Sequence, residues 1–126
     1  MIMSDAIRLT PEEIQQYREQ LVGDATALKD IDLIEQCDGD LEYATERLAR
    51  RSNIDILKGD EETFLRKITT QARQLVCHEQ VRRDLAPNIL GGLVGLFVTS
   101  GNAVFVAIAT PLAIHIVRET LENFCD

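Results

Sequence analysis

Residues 89–117 contain no Asp, Glu, Lys or Arg. A run this long has to find cover inside a fold, between protein copies or in a bilayer. Each Leu- or Val-sized side chain left in water forgoes roughly 1.5–3 kcal/mol of burial. A single helix through the run would exceed the roughly 20 residues that span a bilayer. However, Thr99-Ser100-Gly101-Asn102 is turn chemistry and divides it into halves too short to span. The pattern predicts helix, turn, helix, with a kink or restart at Thr110-Pro111 and a last helix reaching about Phe124. A β-hairpin pairing residues 96–99 with 103–107 is the local alternative. Val and Phe favour strands, and short apolar runs carry no decisive period.

The first half of the chain reads as amphipathic helices. Thr10-Pro11-Glu12-Glu13 carries a cap hydroxyl, a proline at the first helical position and a glutamate three residues after the cap. The helix it starts presents Ile14, Tyr17, Leu21 and Val22 and stops near Gly23. A second helix over residues 27–37 spaces Leu28, Ile31, Ile34 and Cys37 by threes. Asp38-Gly39-Asp40 breaks it: Gly39 can take positive φ, and Asp40 can cap a third helix over residues 41–51 with Leu41, Ala44 and Leu48 inward. A connector over residues 52–59 includes Ile54, Ile56 and Leu57. Asp60 then caps a fourth helix running to about Leu85, with Phe64, Ile68, Ala72, Leu75 and Val76 inward and Pro87 ending it.

These elements predict an all-α small helical bundle. Residues 1–52 form an acidic three-helix segment. Residues 53–126 hold a longer middle helix and the apolar C-terminal hairpin, packed with the first segment as one unit. The net charge of −8 argues against nucleic acid, which needs clustered Lys and Arg. The charge is uneven, −9 over residues 1–62, +3 over 63–85 and −2 over 86–126. That pattern reads as solvated faces or as electrostatic docking. The three cysteines, Cys37, Cys77 and Cys125, are odd in number, and their spacing matches no disulfide or zinc framework. A reduced, cytoplasmic compartment follows as the expectation. The first residues do not read as a signal peptide, since no basic stretch precedes an apolar one.

The string Asp32-Leu33-Ile34-Glu35-Gln36-Cys37-Asp38-Gly39-Asp40-Leu41-Glu42-Tyr43-Ala44-Thr45-Glu46-Arg47-Leu48-Ala49 resembles the second helix, tight Gly-Asp turn and third helix of UBA-type (ubiquitin-associated) three-helix domains. The likeness covers residues 11–51 and implies a helical fold that often serves protein–protein contact. Val22-Gly23-Asp24-Ala25 stands where that family carries Met-Gly-Phe or Met-Gly-Tyr. With Asp24 in place of the aromatic residue, the resemblance does not imply ubiquitin binding.

No residue set reads as a catalytic or metal centre. Cys77 and His78 are adjacent, so on a helix they point about 100° apart rather than at each other. His115 lies in an apolar helix and reads as a satisfied core histidine, with a ligand or pH-switch role as the sharper alternative. Gly91-Gly92-Leu93-Val94-Gly95 lacks the Lys-Ser/Thr of a phosphate loop; Gly91 and Gly95 suit close helix packing instead. Asp38-Gly39-Asp40 lacks the ligand ladder of a calcium loop. The expectation is a non-catalytic interaction or adaptor protein without cofactors. Asp38, Asp40 and Tyr43 would contact an unidentified protein partner. Gly91, Gly95, Phe97 and Phe105 would mediate homo-oligomerisation. The alternatives are a membrane-associated protein inserting residues 89–117 and an apolar-ligand pocket at the hairpin.

Overall fold

The structure is a computed structural model that describes residues 7–56, 64–78, 81, 88–119 and 121–125, with the side chains of 121 and 122 excepted. Eight helices and no strand occur among these residues: α1 (Pro11–Gln20), α2 (Ala25–Gln36), α3 (Leu41–Arg51), α4 (Phe64–Val76), α5 (Ile89–Val98), α6 (Ala103–Ala107), α7 (Ala109–Glu119) and α8 (Leu121–Cys125). The chain is an all-α bundle.

The front three helices start where their caps dictate. The Glu13 amide donates to Thr10 Oγ1 (3.1 Å) and the Thr10 amide to Glu13 Oε1 (3.0 Å), closing a capping box at α1. Asp40 Oδ1 accepts from the Tyr43 amide at α3, and Asp24 Oδ1 accepts from the Ala27 amide at α2. The α2 cap places that helix two residues earlier than the apolar spacing predicts. Gly39 has φ +81°, and a Cβ there would collide with the Leu9 carbonyl. Glycine is therefore required on two counts, because an extended segment passes over this turn. The Leu9 amide donates to the Gly39 carbonyl and the Leu41 amide to the Ile7 carbonyl, both at 2.8 Å. Val22, expected on the inward stripe of α1, is exposed in the turn that follows it.

The uncharged third of the chain supplies much of the interior. In α7, Ala109, Thr110, Pro111, Leu112, Ala113, Ile114 and Ile116 are all buried, and the helix touches α2, α3, α4, α5, α6 and α8. From Ala109 to Ile116 the helix is covered on nearly every side and has no face on which a charge could be hydrated, which accounts for that stretch's composition; the charged Arg118 and Glu119 stand at its exposed end. Helix α5 contributes Leu90, Leu93, Val94 and Phe97, and α6 contributes Phe105, whose ring centroid lies 5.4 Å from that of Phe97. One apolar cluster runs from Leu9 to Phe124 and draws on both halves of the chain.

Residues 96–107 form helix, turn and helix, as the pattern predicts, and not the alternative β-hairpin; other expectations are corrected. Asn102 Oδ1 accepts from the Val104 and Phe105 amides, which commits the chain to helix after the turn. The restart falls at Ile108, so Thr110 lies within α7 and is not its cap. Its hydroxyl donates to Asp30 Oδ2 on α2 (2.9 Å). Helix α4 ends at Val76 rather than near Leu85, because Cys77 leaves it to form a disulfide with Cys125, with a Cα separation of 5.5 Å. Two of the three cysteines are therefore paired, where their spacing suggested none; Cys37 is buried and free. The predicted cap at Asp60 and stop at Pro87 lie outside the described residues.

Asp30 offers a stability test. Burial raises its carboxyl above the ordinary 3.8, and the nearby Asp24 adds to this. The Thr110 hydrogen bond and Arg51 oppose the rise. A carboxyl raised in the folded state favours the fold while protonated, so its contribution falls as pH rises through the folded value. Asp30→Asn keeps an oxygen to accept from Thr110 and removes the partly buried charge. The variant should match wild type in acid and become the more stable protein above that value, as read from urea midpoints across a pH series.

Candidate functional site

Among the depressions formed by the described residues, one rich in titratable side chains lies between α1 and α7. It is a cleft of about 520 Å³ lined by Ile7, Glu13, Tyr17, His115, Arg118 and Glu119. The capping box of α1 turns Glu13 back towards its own N-terminus, where the end of α7 delivers Arg118. Arg118 Nε donates to Glu13 Oε2 (2.9 Å) and Nη2 to Oε1 (3.4 Å). Burial pushes Glu13 up, but the Thr10 amide and Arg118 outweigh this and hold it below its ordinary 4.5. One turn along α1, burial and the Glu13 charge raise the Tyr17 phenol, with Arg118 opposing. One turn back along α7, burial lowers His115 below 6.5; Arg66 and Arg118 add to this and Glu119 opposes. Its Nε2 lies 3.7 Å from Glu119 Oε2. At neutral pH the cleft thus holds a neutral imidazole, a neutral phenol, one engaged ion pair and one further carboxylate.

A groove of about 490 Å³ lies between α4 and the α5–α6 turn, lined by Gln71, Gln74, Leu75, Ser100, Asn102 and Phe105. A smaller one, about 240 Å³, is formed by Leu9, Pro11, Ile14, Glu35, Asp38 and Gly39. Among the described residues no three His, Cys, Asp or Glu side chains come together to hold a metal ion.

The sequence candidates are scattered. Phe97 is 0% exposed and Phe105 is buried against it, so both are occupied within one chain. Gly91 faces the Asn88 side chain, which caps α5, while Gly95 opens to solvent, where a Cβ would meet nothing within 4 Å. Asp40 is engaged as the α3 cap. Asp38 is exposed, and its carbonyl accepts from Arg8 (2.8 Å); Tyr43 is exposed on α3. Cys77 is in the disulfide, and His78 is exposed beside it. The acidic front and basic middle meet at Arg66 and Glu42, 3.9 Å apart. That pair is partly exposed and contributes little by itself.

The outer face of the hairpin was less legible. Val98 (48% exposed) and Val106 (44%) stand out from α5 and α6 near the turn, while Ile89 (39%) is exposed at the start of α5, about 180° round the helix from Val98. Gly95, Thr99, Asn102 and Ala103 are exposed with them. This face carries no charge, on a chain of net charge −8. No described helix is long and apolar enough to cross a membrane. No protein-family model matches the chain, and neither the curated proteins nor the solved structures hold a match to it.

Proposed function

We propose that this protein is a non-catalytic interaction module that self-associates through the outer face of α5 and α6. The supporting observation is the coincidence of exposed apolar side chains with a complete lack of charge on that face. A two-fold contact sets a surface against its own copy, so any charge in it meets a like charge nearby. On an acidic protein, an uncharged surface escapes that penalty. Open space over Gly95 lets a second helix approach closely. Phe97 and Phe105 then act from beneath by fixing the hairpin, while Val98 and Val106 make the contact.

The acidic three-helix segment, read as UBA-like, would present Asp38 and Tyr43 to a protein partner, with Asp40 holding α3 in register. A cytoplasmic setting belongs to the same proposal. The Cys77–Cys125 bond weighs on it, because disulfides persist in oxidising compartments and are rare where glutathione keeps thiols reduced.

Light scattering in detergent-free buffer should give a mass of twice the 14.1 kDa of one chain. The double variant Val98→Glu, Val106→Glu should raise the dimer dissociation constant by roughly 100-fold or more, because carboxylates would face each other across the axis. A wild-type protein that stays a monodisperse monomer at high concentration ends the self-association reading.

A further inference from the structure

The polar groups around the α1–α7 cleft differ in what they still have to offer. Arg118 is engaged with both oxygens of Glu13, and Glu13 also accepts from the Thr10 amide. Tyr17 and His115 are not so engaged. Tyr17 is only 6% exposed, yet among the described residues no group hydrogen-bonds its hydroxyl. The ring nitrogens of His115 likewise have no hydrogen-bond partner there, since 3.7 Å to Glu119 is beyond reach. Both line the same 520 Å³ cleft and reach its water, so each keeps a hydrogen-bonding position open to a molecule bound there.

The charges decide what kind of molecule. Arg118 is neutralised by Glu13, and among the described residues Glu119 has no Lys or Arg within ion-pair distance. What remains is a carboxylate, a phenol oxygen and an imidazole nitrogen, three acceptors with no unengaged cation beside them. An anion would meet the carboxylate of Glu119. An alkylammonium carries one positive charge and three N–H donors. We propose that the cleft between α1 and α7 binds a small primary alkylamine. Glu119 takes its charge, Tyr17 and His115 accept its other N–H bonds, and Ile7 covers its methylenes.

His115 can accept only while neutral. The charged or titratable groups facing it are Glu119 and Arg118 on its own helix, Arg66 on α4, and Glu13 and Tyr17 on α1. Amine binding should therefore weaken in acid as the imidazole gains its proton.

The probe is cadaverine, with glutarate as an anionic control of equal chain length, titrated into the full chain at low salt while the two histidine ring resonances are followed by NMR. Cadaverine should shift His115 saturably and leave His78 in place; glutarate should shift neither. Glu119→Gln, at a half-exposed position that leaves the core untouched, should weaken cadaverine roughly tenfold, and Tyr17→Phe about fivefold. An unmoved His115 at about 10 mM cadaverine, a level generous for such a site, overturns the proposal. Equal binding of glutarate, or undiminished binding by Glu119→Gln, overturns it too, the latter by reducing the effect to diffuse attraction of cations to an acidic surface. Dimerisation is read independently by mass, so neither result decides the other.

Discussion

Replacing Cys77 and Cys125 together by serine is expected to remove about 4 kcal/mol of stability, taking the loop-closure entropy of a 48-residue span. The bond joins the end of α4 to α8 and so closes the loop containing all of α5, α6 and α7. Opening it frees the unfolded chain over that whole loop and releases the last helix, whose Phe124 is fully buried with Arg73 over its ring at 5.3 Å. Removing both sulfurs avoids mispairing with Cys37. For a chain of this size the loss corresponds to a fall in Tm on the order of 10–20 °C. Wild-type protein held in strong reductant should fall by a similar amount, and reductant should leave the serine variant unchanged. A wild-type Tm indifferent to reductant would show that the two thiols do not pair.

Phe97→Ala should be comparably severe. The side chain is fully buried where α5 and α6 meet, and deleting an aromatic ring from such a site costs about 3–5 kcal/mol in lost transfer energy and unfilled space. The loss should appear as a lower urea midpoint at unchanged slope, and it should be the same at low and high protein concentration. A small loss accompanied by dissociation of an oligomer would instead place Phe97 between chains. The contrast with Val98→Glu, Val106→Glu is the informative one: neighbouring positions on one hairpin, one set acting on folding and the other on association.

The elements legible in the sequence are those whose determinants are local. The Thr10 hydroxyl and Glu13 carboxylate lie within one turn of the amides they cap, and the Asp38-Gly39-Asp40 joint carries its own backbone requirement. Thr110-Pro111 copies the Thr10-Pro11 pattern yet does different work, because its partner, Asp30, is 80 residues away. The pairing of Cys77 with Cys125 depends on where α4 ends relative to α8, which no spacing encodes. The cleft was hidden for the same reason. Tyr17 lies on the inward stripe of α1 and His115 in an apolar run, and each alone resembles core. Only the Glu13–Arg118 pair, spanning 105 residues, brings them to one opening. The uncharged run itself was legible as something needing cover. That the cover is one chain's own helices follows from the packing around α7.

Amide hydrogen exchange on dilute protein tests that packing most directly. The amides of Leu112, Ala113, Ile114 and Ile116 should be among the slowest in the chain, opening only with global unfolding and at a rate independent of protein concentration. Rapid exchange at these four positions in the monomer, or protection that grows with concentration, would mean that α7 is covered by something other than its own fold.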